Sequence, residues 1–278
     1  MKVLSPAKVN LHLEVLERRP DGYHEIQTLM HRVGLYDQIE IREGGEGIRL
    51  VTQGEAVPEG TDNLACQAAR LFCQELGIKD DLEIRIRKRI PVGAGLGGGS
   101  SNAATTLMAL NELLQAGLDD KLLIALGARL GADVPFFIFQ KPALARGKGE
   151  ILTPVKLPAQ LWFLMMVPPF QISTAWAYET YDRVAGQKKE ATPIQESFPD
   201  VADLLLVLKN DLEIPAFTRY PEIGRMKEEL LRKGARGALM SGSGSVVFGL
   251  FVGPEEARRT EQNLMLPPGW KTVIAQGI

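Results

Sequence analysis

Between Ile90 and Thr105 the chain places five glycines in seven positions, Gly93, Gly95, Gly97, Gly98 and Gly99, followed by Ser100, Ser101 and Asn102. Such a cluster costs backbone entropy on folding. It is tolerated where the main chain must come very close to something. A strand-like run precedes it and a helix-like run follows it, the setting in which backbone N–H groups at a helix start cradle a phosphate. Residues Pro91, Val92, Gly93, Ala94, Gly95, Leu96, Gly97, Gly98, Gly99, Ser100 and Ser101 are therefore read as a nucleotide-phosphate loop.

Other chemistry-bearing residues lie far from this loop in sequence. Lys8, Asn10, His12 and Glu14 alternate with Val9, Leu11, Leu13 and Val15, the period-2 pattern of a strand with one polar face. That face is either solvated or lines a site. Tyr23 and His24 follow Pro20-Asp21-Gly22, a turn in which proline pre-sets φ and glycine accepts positive φ. Asp133 sits among small and apolar residues two positions before Pro135, as a turn former or as a carboxylate held in a protected site. The proline predicts an extended Val134. Asn63 precedes a helical run, where capping is the ordinary role and a contact with a nucleotide base the alternative.

These residues need elements to hold them. Strands are expected at 8–16, within 29–41, at 48–51 as a hairpin partner across Gly44–Gly47, and at 82–90 with basic residues on a solvated face. Helices are expected at about 64–76, 101–116 and 119–130. The strongly apolar run 161–167 suits a central strand that Pro168-Pro169 ends, and Ser173-Thr174 then opens a helix carrying Trp176, Tyr178 and Tyr181. The polar stretch 185–199 reads as a loop, and helices follow at about 201–208 and 221–233. A second small-residue cluster, Ser241-Gly242-Ser243-Gly244-Ser245, leads into strand 246–251, then a helix at 254–263 and a last strand at 270–275.

The 278 residues carry a formal net charge of −2, so no basic field attracts nucleic acid or an anionic membrane. The two cysteines, Cys66 and Cys73, lie seven apart on one helical face and make neither a disulfide framework nor zinc spacing. No apolar run reaches the roughly 18 residues of a membrane span, and Met1–Pro6 lacks a signal-peptide core. A cytoplasmic location is the expectation.

Gly93-x-Gly95-x-x-Gly98 matches the dinucleotide fingerprint, but the acidic residue that ends the next strand in that motif is missing. No lysine follows the glycines as a Walker loop demands, and the catalytic motifs of protein kinases are absent. The loop instead resembles the central motif of the GHMP kinases. Ser5-Pro6-Ala7-Lys8-Val9-Asn10-Leu11 resembles their N-terminal motif, and Ser241–Ser245 their C-terminal glycine-rich one. The resemblance covers nearly the whole chain. Arg19–His24, the triple glycine with Ser100-Ser101, and Gly131-Ala132-Asp133-Val134-Pro135-Phe136-Phe137 narrow it to a branch acting on cytidine diphosphate methylerythritol in non-mevalonate isoprenoid synthesis.

The resemblance implies an α+β, two-domain fold. An ATP-binding N-terminal domain over 1–155 would resemble the second domain of ribosomal protein S5, and a C-terminal domain over 156–278 would be ferredoxin-like. It implies transfer of the γ-phosphoryl of ATP, accompanied by Mg²⁺, to the acceptor's 2-hydroxyl. Lys8 and Asp133 take the catalytic positions. The loop residues and Asn63 go to ATP, and Asn10, Tyr23, His24, Thr174 and Tyr178 to the acceptor, with Trp176 the rival to Tyr178 as the aromatic on cytosine. No certain metal ligand follows; the hydroxyl of Ser100 or Ser101 is the available one. Lys148 stands where the family commonly has a branched apolar residue. A small-molecule partner is implied, with neither nucleic acid nor membrane, in a monomer or weak homodimer. Other GHMP kinases, of the homoserine or mevalonate type, are weighed against by the Asp21–His24 stretch. A non-enzymatic ATP-binding scaffold is weighed against by the retention of both Lys8 and Asp133.

Overall fold

Apolar residues on alternating positions build the strands, and capped amphipathic runs build the helices. The computed structural model describes residues 1–55, 57, 60–185 and 190–278. In chain order the elements are β1 (Lys2–Arg18), β2 (His24–Glu43), β3 (Ile48–Gln53), α1 (Leu64–Leu76), β4 (Leu82–Arg87), α2 (Gly98–Leu113), α3 (Asp120–Leu130) and α4 (Val134–Phe139). There follow β5 (Ala143–Arg146), β6 (Ile151–Pro154), β7 (Trp162–Val167), α5 (Thr174–Ala185), α6 (Val201–Leu205) and β8 (Lys209–Asn210). The chain closes with α7 (Glu213–Arg219), α8 (Pro221–Arg232), β9 (Gly237–Met240), β10 (Val247–Phe251), α9 (Pro254–Gln262) and β11 (Lys271–Gln276). Strands and helices mix throughout in an α+β arrangement. The residues form two compact units, each gathered from separated stretches of chain.

The first unit comprises Met1–Ala7, Leu35–Val92 and Gly97–Gln140. Its β4 lies between the second half of β2, antiparallel with Ile39 opposite Ile86, and β3, parallel with Leu50 opposite Ile84. The expected hairpin between 37–41 and 48–51 therefore does not form. β4 has the stronger apolar alternation, with Leu82, Ile84 and Ile86 buried, and takes the inner place, whereas β3 is mostly exposed and takes the edge. α1 matches its expected bounds: Asn63 Oδ1 accepts from Ala65 N at 3.0 Å, and Gly77 closes the helix at φ +65°. α2 begins three residues earlier than expected, inside the glycine cluster.

Val134 is helical rather than extended. Pro135 falls in the first turn of α4, where its missing N–H has no intrahelical partner to lose, and Val134 N bonds Gly131 O at 3.2 Å.

The second unit comprises Lys8–Gly34, Gly93–Leu96 and Lys141–Ile278. In it β5 pairs with Thr28–Met30 of β2 and with β6, and β8 runs parallel to β1 at His12 and Leu13. A four-stranded antiparallel sheet in the order β11-β7-β10-β9 follows a β-α-β-β-α-β chain path, the ferredoxin-like arrangement. Its apolar side buries Leu164, Met166, Val247 and Phe251 with Ile223 and Leu230 of α8. Short elements the sequence reading passed over, β5, β6, β8, β9 and α7, also belong here. Of the polar stretch 185–199, residues 186–189 lie outside the described residues; 190–199 carries only an isolated bridge between Lys156 and Ser197.

Candidate active site

The glycine loop owes its course to three left-handed glycines, Gly93 (φ +64°), Gly95 (φ +80°) and Gly97 (φ +69°). Its carbonyls are engaged in the second unit: Ala94 O accepts from Val246 N at 3.2 Å, Gly95 O from Ser241 Oγ at 2.9 Å, and Leu96 O from Lys8 N at 3.0 Å. A Cβ on Gly95 would overlap the Ser241 carbonyl oxygen, so the two glycine-rich stretches of the sequence touch at main-chain distance here. In the first unit, Gly97 caps α2 without any side-chain hydrogen bond. The opening amides of α2 have no intrahelical acceptor, and the helix dipole puts partial positive charge there. This is the chemistry of a phosphate cradle.

A buried charge cluster fixes the start of α2 in the first unit. Asp37 is fully buried and accepts from Arg89 N (2.7 Å), Ile90 N (3.0 Å), Asn102 Nδ2 (2.9 Å) and the Lys88 ammonium. Lys88 also donates to Asn102 Oδ1 at 3.1 Å, and Asn102 Nδ2 reaches Ser5 Oγ at 2.9 Å. The basic face expected to be solvated along β4 is thus divided: Arg85 and Arg87 are exposed, but Lys88 turns inward to a carboxylate that no local pattern announces. Ser101 Oγ pairs with Ser5 Oγ at 2.7 Å, which ties that hydroxyl to the protein, whereas Ser100 stays half-buried. Asp133 stands half-buried at the N-cap position of α4 with φ −84° and ψ −12°, and its carboxylate makes no capping bond.

In the second unit the polar face of β1 is sealed, not solvated: Lys8, Asn10, His12 and Glu14 are each at most 3% exposed. Lys8 Nζ donates to Asn10 Oδ1 at 2.5 Å, Asn10 Nδ2 donates to Thr28 Oγ1 at 2.8 Å, and Thr28 Oγ1 donates to the His12 carbonyl at 2.6 Å. Asn10 N reaches Ser241 Oγ at 3.3 Å. Asn10 thus orients the lysine and anchors it toward the 241–245 turn, where a Cβ on Gly242 would lie 3.4 Å from Lys8 Nζ. Asn210, which the sequence reading missed, holds that turn. Its Nδ2 donates to Met240 O and Gly242 O, both at 2.7 Å, and its Oδ1 accepts from Leu212 N at 2.9 Å. A buried asparagine beside Asp211 on a two-residue strand carries no periodic signal that would have revealed it.

Further along β1 the same face becomes structural. Glu14 accepts from Thr192 N and Oγ1 (2.8 Å each) and from Lys209 Nζ (2.7 Å). Burial alone would raise its carboxyl, but the Lys209 and Thr192 bonds outweigh it and hold the group at about 2. His12 donates from Nδ1 to Val207 O at 2.7 Å, and its Nε2 stands 3.7 Å from Glu14. Desolvation pushes this imidazole below its ordinary value.

Tyr23 and His24 leave the Pro20–Gly22 turn, closed by Arg19 N on Tyr23 O at 2.7 Å with Gly22 at φ +86°. Tyr23 is 58% exposed, with Lys148 Nζ 4.7 Å from its ring centroid. His24 stacks on Tyr178 of α5, centroids 5.0 Å apart and planes at 25°, and its Nε2 lies 2.7 Å from Asp182 Oδ1. Trp176 faces elsewhere, edge-on to Tyr220 at 6.0 Å and under Arg219 at 5.3 Å. Of the two rival aromatics, Tyr178 is the one brought to His24. Thr174 Oγ1 meets Ser243 Oγ at 2.9 Å, beside the 241–245 turn. Among the described residues no helix is long and apolar enough to cross a membrane, and no group of three or more His, Cys, Asp or Glu side chains could hold a metal ion.

Residues 63–141 match the family model described as GHMP kinases N terminal domain, and residues 194–264 match GHMP kinases C terminal. With the glycine loop and the α+β architecture, these matches make the chain a member of the GHMP kinase class. A 4-diphosphocytidyl-2-C-methyl-D-erythritol kinase from Geobacter metallireducens is 47% identical over 99% of this chain and 97% of the relative. One of the same name from Syntrophotalea carbinolica is 44% identical over 99% and 98%. A crystal structure of 4-(cytidine 5'-diphospho)-2C-methyl-D-erythritol kinase superposes with a TM-score of 0.82 at 39% identity, covering 100% of this chain and 99% of that one. The chain belongs to the 4-diphosphocytidyl-2-C-methyl-D-erythritol kinase family. A homoserine kinase from Cytophaga hutchinsonii shares the fold, with a TM-score of 0.70 at 19% identity over 100% of this chain and 94% of the other.

Proposed function

We propose that the protein transfers the γ-phosphoryl group of ATP to the 2-hydroxyl of 4-diphosphocytidyl-2-C-methyl-D-erythritol, in the isoprenoid precursor route that does not pass through mevalonate. The observation that carries this reading is the loop 93–100: left-handed glycines, carbonyls tied back to the protein, and an uncapped helix start. Those amides receive the β- and γ-phosphates, and the domain division at 155/156 goes with this assignment. Asn63, whose carbonyl caps α1, offers its amide side to the nucleotide base.

The acceptor hydroxyl is tertiary and a poor nucleophile, so positioning and charge stabilisation must supply the rate. Asp133 accepts the hydroxyl proton as the oxygen attacks the γ-phosphorus and the bond to the ADP oxygen breaks. Lys8, oriented by Asn10, offsets the charge on the transferring phosphoryl oxygens. Tyr23, His24, Tyr178 and Thr174 hold the cytidyl end. Among the described residues no carboxylate cluster would seat an ion; Mg²⁺ would come with ATP, and the Ser100 hydroxyl is the protein group that would be available to it. The chemistry such an ion would supply is neutralisation of phosphate charge. The cytoplasm, where ATP is abundant, suits this activity.

Purified protein is assayed by coupled ADP release with the cytidyl acceptor, homoserine and mevalonate. ADP formation with the cytidyl acceptor alone supports the reading; turnover only with another acceptor overturns it. Asp133→Asn is expected to lose at least about 10³-fold in kcat with KM for ATP unchanged, the pattern of a lost proton acceptor. Near-full turnover would remove Asp133 from the mechanism.

A further inference from the structure

The turn 241–245 of the second unit is held by a residue that lies outside it. Asn210, on the two-residue strand β8, is 4% exposed, and its amide is fully committed. Oδ1 accepts from Leu212 N at 2.9 Å, which fixes the two ends of the amide. The two hydrogens on Nδ2 then go to Met240 O and Gly242 O, both at 2.7 Å. Glu213 of α7 takes Met240 N at 2.9 Å, so the residue that leads into the turn is bonded at both its main-chain groups.

The turn packs directly on Lys8. A Cβ on Gly242 would stand 3.2 Å from Asn10 Oδ1 and 3.4 Å from Lys8 Nζ, and Gly242 runs at φ +56°. Lys8 Nζ donates to Asn10 Oδ1 at 2.5 Å, and Asn10 N reaches Ser241 Oγ at 3.3 Å. Lys8, Asn10, Met240 and Ser241 are all buried. In such a setting a carbonyl that loses its donor turns to another, because an unpaired buried acceptor costs about 1–3 kcal/mol. The Lys8 ammonium, packed against Gly242, is a donor within reach of a relaxed turn.

We propose that Asn210 is a positioning residue for phosphoryl transfer. By occupying Met240 O and Gly242 O it keeps these carbonyls off Lys8, and the ammonium stays on Asn10 with its charge available to the transferring phosphoryl group. Without Asn210 the Gly242 carbonyl competes for the ammonium and draws it back toward the turn. Misplacing a catalytic group by about 1 Å costs on the order of 10²-fold in rate. The inference rests on the phosphoryl-transfer reading above.

The test compares wild type, Asn210→Ala, Asn210→Ser and Thr260→Val at a temperature where circular dichroism shows each to be folded. Thr260 is 4% exposed and its Oγ1 donates to Lys233 O at 2.8 Å, so Thr260→Val also takes the donor from a main-chain carbonyl, but where α9 meets the end of α8. Steady-state kinetics give kcat and both KM values, and ¹⁵Nζ NMR follows the lysine side chains, with Lys8→Arg assigning the Lys8 signal. Expected for Asn210→Ala is a fall of about 10–100-fold in kcat with both KM values within about twofold, and a displaced Lys8 signal. Asn210→Ser keeps one donor and recovers part of both. Thr260→Val keeps the wild-type kcat and Lys8 signal. An unchanged Lys8 signal in the Asn210 variants overturns the proposal, and so does a fall in kcat that Thr260→Val shares. If Asn210→Ala does not fold, Asn210→Ser against wild type decides. Failure of the wild type to phosphorylate the cytidyl acceptor refutes the functional reading instead, while the lysine signal still decides whether Asn210 places Lys8.

Discussion

Glu14→Gln should destabilise the protein in a way that disappears in acid. The side chain is 3% exposed and takes hydrogen bonds from the Lys209 ammonium and from Thr192 N and Oγ1. Its carboxyl is held at about 2 against an ordinary 4.5. Each tenfold in acidity is worth about 1.4 kcal/mol, so the ionised form stabilises the fold by about 3 kcal/mol over the protonated one. Glutamine has the shape of the protonated acid and removes that contribution. A folded-state value below the unfolded one means the stabilisation is complete above about pH 4.5 and is lost as the pH falls toward about 2. At pH 7 the variant should therefore melt roughly 5–10 °C below wild type, and the gap should close steadily between pH 4.5 and 2. Thermal melts followed by circular dichroism at pH 7, 5, 4 and 3 read this directly. The same series in a His12→Gln background separates the neighbouring imidazole, 3.7 Å from the carboxylate. A gap equal at pH 7 and pH 3 would refute the charge argument and leave only a packing or hydrogen-bond effect.

Lys88→Met strips the buried Asp37 of its countercharge and should cost about 3–5 kcal/mol in urea unfolding; adding Asp37→Asn to it should recover part of the loss. Gly95→Ala puts a Cβ against the Ser241 carbonyl at a positive φ and should lower kcat/KM for ATP at least about tenfold, read by steady-state kinetics. Asn210→Ala leaves the Met240 and Gly242 carbonyls without their donor and should cost about 2–4 kcal/mol in thermal or urea unfolding.

Local signals in the sequence were strong wherever a residue's neighbours along the chain set its environment. The α1 bounds, the Asn63 cap and the Pro20–Gly22 turn follow from local backbone chemistry, and all appear as expected. The glycine loop was legible because only close backbone approach justifies so many glycines, and the Gly95–Ser241 contact is that approach. The ferredoxin-like strands β7, β10 and β11 were legible from apolar runs, whereas β9, inside a run of small residues, was not.

What the chain alone could not decide is where its polar residues end up. Period-2 alternation shows that Lys8, Asn10, His12 and Glu14 share a face of β1, but a polar face reads the same whether water or Thr28, Ser241 and Lys209 covers it. Lys88 looked like its exposed neighbours Arg85 and Arg87 until Asp37, 51 positions away, turned up as its partner. The edge place of β3, the choice of Tyr178 over Trp176 beside His24, and the grip of Asp182 on that imidazole are likewise long-range outcomes. Backbone propensity and periodicity act over a few residues and are written in the sequence. Burial of a charge depends on a countercharge that only tertiary packing delivers, because desolvation is tolerated where the partner is actually in reach.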